Sequence, residues 1–188
     1  MKRNTVVVNL VAGPGAGKTT CAWEIAAELK KVGLVVEYVP EVAKEYVWEE
    51  RTDLLDGTLE HQKALYEKQN HRVQRLIGKV DVVVTDSPII LNLIYLKEKN
   101  QDFEREILSQ FKSQKNFTLF VQRGLNFEKE GRIHSQEQSS QIDRDILHLL
   151  DENNIYYGKY NYEQMKLCVK NIQTTVKKQR EKNKMPVI

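Results

Sequence analysis

The run Ala12 to Thr20, AGPGAGKTT, limits what this chain can fold into more than any other stretch. It follows an apolar segment, Thr5 to Val11, and leads into a pattern in which Cys21, Ile25, Leu29 and Val32 recur at helical spacing. Strand, glycine-rich turn and helix in that order make a phosphate cradle. The turn lets successive backbone N–H groups converge on phosphate oxygens, and the positive N-terminal end of the helix adds to the attraction. The spacing GxxxxGK followed by Ser or Thr is met with Ala12 in its first position. Gly13, Gly15 and Gly17, with Pro14 and Ala16 between them, keep the loop open. Lys18 is expected to reach the β- and γ-phosphates of ATP, and Thr19, followed by Thr20, to offer its hydroxyl to Mg2+.

A length of 188 residues suits one domain with a substantial core, and 40% hydrophobic with 29% charged residues is ordinary for a globular chain. We expect a single domain over 1–176 and a basic tail over 177–188. The apolar run near the N-terminus is short and leads directly into the glycine loop, so it reads as a core strand and not as a secretory signal. No stretch approaches the roughly 20 apolar residues that span a bilayer, so no membrane partner is expected. Cys21 and Cys168, the only cysteines, both fall in helical patterns, and a reducing cytoplasm is the expected location. His61, His71, His134 and His148 form no cluster with metal-ligand spacing, so any metal should arrive with the nucleotide. The net charge of +3 is too small to announce nucleic-acid binding. It is uneven, however: Lys177 to Lys184 holds five basic residues against one acid, read as a solvated helix end in preference to a DNA-contacting tail.

Apolar runs alternate with amphipathic segments in the β/α order of a parallel sheet with helices on both faces. Strands are expected at Thr5–Val11, Leu34–Val39, Val80–Thr85, Phe117–Gln122 and, weakly, Ile155–Gly158. Helices are expected over Lys18–Val32, Glu41 toward Glu50, Leu59–Ile77, Phe103–Gln114, Gln136–Asn153, and from Tyr162 into the tail. Ligands of such sheets lie beyond the carboxyl ends of the strands, which selects a short set of positions.

Asp86 ends the apolar strand VDVVVT, where a carboxylate can orient Mg2+ beside Thr19. Ser87 follows it in place of the glutamate that activates water in many hydrolytic motors, which favours transfer over hydrolysis. Glu41, at the end of the second strand, is placed to orient an acceptor hydroxyl and take its proton, with Asp86 as the competing base; a helix-start glutamate is the plainer alternative. Lys44, one turn on, suits an acceptor anion or a surface ion pair. Gln69 and Arg72, with His61, lie near one face of the long helix and are expected to read an acceptor or to form a solvated face. Arg123, after the fourth strand, and Arg132 are the cations expected to fold over a triphosphate, with the 124–135 segment acting as a lid between Gly124 and Gly131.

The segments AGPGAGKTT, PEVAKEYV, VVVTDSP, EKEGR and IDRDILHLLDENNI together resemble the P-loop small-molecule kinases. The resemblance spans nearly the whole chain and is greatest to the nicotinamide-riboside kinase domain of bacterial NAD-biosynthesis regulators and to related phage proteins. Glu41 with Lys44, Glu130 to Arg132, and Asp143 to Asn154 match the motifs of that group. Arg132 follows Gly131 directly, where the riboside kinases have one more residue between. Thymidylate and deoxynucleoside kinases share the core. Phage relatives include kinases that act on 5-hydroxymethyluracil within DNA. The resemblance implies a P-loop NTPase sheet of strand order 2-3-1-4-5 and transfer from ATP to a hydroxyl of a nucleoside-like acceptor, free or in modified DNA. A nucleotide-dependent switch that transfers no phosphate is the competing class, and oligomeric state is not readable.

Overall fold

The computed structural model describes residues 3–123 and 135–182. Strand β1 (Val6–Val11) enters the phosphate loop, which opens helix α1 (Lys18–Lys31). Then follow β2 (Val36–Val39), α2 (Val42–Trp48), α3 (Leu59–Gln74), β3 (Val82–Thr85), the single turn α4 (Asn92–Tyr95) and α5 (Gln101–Lys112). The chain continues through β4 (Lys115–Val121), α6 (Gln136–Glu152), β5 (Tyr157–Tyr160) and α7 (Met165–Lys182). All pairings are parallel, in the order β2-β3-β1-β4-β5, as the resemblance implied.

Every residue of β1 is buried, which explains its unbroken apolar character: a central parallel strand has helices on both faces. Val6, Val8 and Leu10 face α1 and α7, packing with Ile25, Leu29, Val169, Ile172 and Val176. On the other face Val7 packs with Val73 of α3, and Val11 joins Phe103, Ile107, Phe111, Ile146 and Leu150 of α5 and α6. This three-layer core fixes the carboxyl ends of β1, β2 and β3 side by side, which is where the phosphate loop, Glu41 and Asp86 meet.

The structure shifts two sequence expectations. The last strand begins at Tyr157 and not at Ile155, because Asn154, at φ 53°, and the Ile155 N–H, donating to the Leu150 carbonyl at 2.9 Å, close the end of α6. Ile155 thereby joins the core as part of a turn. The run after Pro88, unassigned from sequence, forms a 3-10 turn at Ile89–Leu91 and then α4, burying Ile89, Ile90 and Leu91. The last helix continues past 176 into the basic segment, as expected of a helix running from Tyr162 into the tail. Arg180 of that helix pairs with buried Asp81 at 2.7 Å, and Asp81 also holds Arg3 at 2.7 Å, so the basic segment is tied to the strand starts.

Among the described residues, no helix is long and apolar enough to cross a membrane, and no group of three or more His, Cys, Asp or Glu could hold a metal ion.

Candidate active site

The loop after β1 turns on Gly15 (φ 76°) and Gly17 (φ 85°), a left-handed backbone that costs glycine little. Gly17 also permits a close approach: a Cβ there would lie 2.6 Å from the Tyr162 hydroxyl. Lys18 curls back over the loop, its Nζ donating to the carbonyls of Ala12 at 2.8 Å and Gly13 at 3.1 Å. Burial lowers the Lys18 pKa, against the opposing pull of Glu41, Asp86 and Asp143. An ammonium held among carboxylates and stripped of water is well prepared for phosphate.

At the end of β3, Asp86 is only 2% exposed. Its Oδ2 accepts from the Thr19 hydroxyl at 2.6 Å and the Tyr38 hydroxyl at 2.9 Å. Burial and the neighbouring Asp86 raise the Tyr38 pKa, which keeps this phenol a donor. The other oxygen, Asp86 Oδ1, is buried without a hydrogen-bond partner. A buried carboxylate oxygen left unpartnered beside a threonine hydroxyl fits a hard divalent cation, which takes oxygen ligands. Thr19 and Asp86 are thus the residues that would hold Mg2+.

Glu41 is the N-cap residue of α2, yet its side chain makes no capping hydrogen bond and lines a cavity of about 470 Å³. Gln69 takes over the capping: its Oε1 accepts the Val42 N–H at 3.0 Å, while its Nε2 donates to the Pro40 carbonyl at 3.3 Å. Gln69 therefore pins the turn that presents Glu41. Lys44 also lines the cavity. Phosphate-loop residues Pro14, Gly15, Lys18 and Thr19 line this space, and so do the apolar Val42, Val47, Leu65 and Leu91. Gly57, at φ 78°, also lines it, its carbonyl accepting the Lys97 N–H at 2.9 Å.

Two expected site arginines are engaged elsewhere. Arg72 makes a two-pronged pair with Glu45 at 2.8 and 2.7 Å and does not line the cavity. Arg123 grips Asp143 at 3.1 and 2.7 Å and donates to the Pro14 carbonyl at 2.8 Å, so it fastens the phosphate loop to α6. His61 pairs with Asp56 at 2.9 Å. Arg132 and the lid up to His134 lie outside the described residues. Sequence reasoning missed Tyr38, Trp23 and Tyr95, which come to the site or its cavity, and Asp143, which holds the loop. Tyr38 stands two residues before Pro40, close enough to a strand end to have been found; Asp143 opens the motif match of Asp143 to Asn154, but its place in mid-helix does not reveal its partners Gly13 and Arg123.

This is the P-loop NTPase fold with a kinase-like arrangement. Residues 7–164 match the AAA domain family, and the chain belongs to it. Among solved structures it is similar to thymidylate kinase from Ehrlichia chaffeensis, at 12% identity and a TM-score of 0.60, covering 92% of this chain and 99% of that one. It is also similar to Chaetomium thermophilum Kti12 in complex with ADP-AlF3, at 13% identity and a TM-score of 0.54, covering 92% and 98%. At such identities the likeness is one of fold. Among curated proteins, no match to this sequence was found.

Proposed function

We propose that the protein is an ATP- and Mg2+-dependent phosphotransferase that moves the γ-phosphoryl group to a hydroxyl of a nucleoside-like acceptor. The observation that carries this reading is that one cavity is lined at once by Lys18 and Thr19, by Glu41 and by the apolar side chains of Val42, Val47, Leu65 and Leu91. A switch needs a nucleotide site; a transferase needs a second chamber opening onto the γ-phosphate.

In this mechanism the loop amides and Lys18 hold the phosphates. Thr19 and Asp86 would hold Mg2+, which would supply positive charge to the phosphates. Tyr38 restrains one oxygen of Asp86 and leaves the other for the cation. Glu41 orients the acceptor hydroxyl and receives its proton as the acceptor oxygen bonds to the γ-phosphorus and the bond to the β-phosphate oxygen breaks, releasing ADP. Lys44 offers a charge to an anionic part of the acceptor. Arg123 supports the loop through Asp143; Arg132, outside the described residues, is the further cation proposed to offset the charge of the transferred group. The wall residues exclude water, which limits wasteful hydrolysis.

The resemblance to riboside, thymidylate and phage hydroxymethyluracil-DNA kinases supplies the acceptors to try. Purified protein is incubated with γ-labelled ATP, Mg2+ and, separately, nicotinamide riboside, thymidine, thymidylate and hydroxymethyluracil-containing DNA. Label is expected in at least one of these acceptors. Release of inorganic phosphate alone, at one rate whatever the addition, would establish the ATPase switch instead.

A further inference from the structure

Trp23 stands outside the buried core. Helix α1 buries Cys21, Ala22, Ile25, Ala26 and Leu29, while Trp23 stands off that stripe and is 59% exposed. Fully buried aromatic side chains remove about 150–250 Å2 from water, so a tryptophan kept in the open forgoes most of its contribution to stability. Trp23 nevertheless lines the cavity described above, together with Thr19 and Glu41. It lies four residues beyond Thr19, on the same helix face, so the two Cβ atoms stand roughly 5–6 Å apart.

Its ring is also held. Trp23 meets Tyr38 in an edge-to-face contact, centroids 6.3 Å apart and planes at 80°, and the Tyr38 hydroxyl is anchored on Asp86. A planar side chain with two rotatable bonds, braced by a second ring, presents a flat surface at little entropic cost. Flat aromatic surfaces favour flat ligands, because stacking accepts any ring with a π-face.

We propose that Trp23 is the aromatic platform that selects the acceptor: it stacks on the planar base and directs the sugar or side-chain hydroxyl toward Glu41. The assignment rests on the phosphotransfer reading and narrows it, because a platform of this kind favours an acceptor with an aromatic ring over a saturated cyclic alcohol. Trp48, the chain's other tryptophan, serves as the internal contrast. It is 65% exposed at the end of α2 and does not line the cavity.

The test uses Trp48→Phe, which leaves Trp23 as the sole tryptophan. Its emission is followed with Mg-ADP alone, then with thymidine, thymidylate, nicotinamide riboside or hydroxymethyluracil DNA, and with shikimate as a non-aromatic ring alcohol. The base-bearing acceptor that is phosphorylated should quench or shift Trp23 emission beyond the effect of Mg-ADP, and shikimate should not. In turnover, Trp23→Ala should raise the acceptor KM at least about tenfold with the ATP KM unchanged, while Trp23→Phe keeps most of the wild-type value. The proposal is overturned if Trp23→Ala leaves the acceptor KM at wild type, if emission ignores a base that is phosphorylated, or if shikimate is the preferred acceptor. A base that quenches Trp23 but is never phosphorylated would support the platform and overturn the phosphotransfer reading, so the two failures are distinct.

Discussion

Asp143 joins Arg123 to the phosphate loop: one carboxylate oxygen accepts the Gly13 N–H at 2.6 Å, and the other takes the Arg123 guanidinium at 2.7 Å. Both side chains are more than four-fifths buried, so removing either strands a charge out of water. Asp143→Ala is expected to lower stability by about 3 kcal/mol and, by loosening the loop, to weaken ATP binding about tenfold. Asp143→Asn keeps an acceptor for Gly13 and should lie between. Calorimetric titration with ATP checks this; wild-type affinity in Asp143→Ala would remove the clasp from the account.

Gly13 belongs to the same clasp. A Cβ there would collide with the Ser139 carbonyl of α6, so alanine cannot be accepted without moving helix against loop. Gly13→Ala should therefore reproduce the loss of ATP affinity seen in Asp143→Ala, although it leaves every charge in place. Unchanged ATP binding in this variant would show that the loop and α6 are not rigidly coupled.

Burying the Lys18 ammonium costs the fold stability. Its ordinary pKa of 10.5 is lowered by burial. Between the lowered value and 10.5 the unfolded chain binds the additional proton, so stability should rise with pH across that window. Lys18→Met should abolish this rise. It should also eliminate the melting-temperature increase produced by Mg-ATP, which for wild type at 100 times Kd corresponds to about 2.7 kcal/mol. An intact ATP shift in Lys18→Met, read by differential scanning fluorimetry, would contradict the assignment.

Asp81 makes a prediction of the same sign in the acid range. Burial pushes its carboxyl up, but the hydrogen bonds from Arg180, the Val35 N–H and Arg3 outweigh burial and hold it below the ordinary 3.8. It therefore contributes stability above pH 3.8 that is lost as pH falls through the lowered value. Arg180→Ala should cost about 1 to 2 kcal/mol at pH 7, since the arginine is half exposed and Arg3 remains. The difference from wild type should shrink as Asp81 protonates. Urea unfolding at pH 7 and pH 3 measures both. Removing 177–188 to test DNA binding would carry the same stability penalty, so Arg180 should be retained in that experiment.

Local signals carried much of this architecture. The glycine loop, the apolar strands and the strand-end positions of Glu41 and Asp86 are written in runs of adjacent residues, and the structure places them together. The engagement of Arg72 and Arg123 was not legible, because their partners Glu45 and Asp143 lie 27 and 20 residues away and meet them only through helix packing. Gln69 was recognisable as a polar group on α3, but its capping of α2 depends on how α3 crosses the β2 turn. The α4 region was missed because PIILNLIY is too uniformly apolar to show a period, its burial coming from several neighbours at once.

The central claim is that the cavity beside Glu41 receives a phosphoryl acceptor, and the most direct measurement is the partition of the γ-phosphate of labelled ATP between acceptor and water. With a productive nucleoside-like acceptor present, most of the label should appear on its hydroxyl. Glu41→Gln should reduce that transfer by roughly 100-fold or more while ATP still binds. Label released only as inorganic phosphate, at a rate indifferent to every acceptor and to Glu41→Gln, would contradict the account.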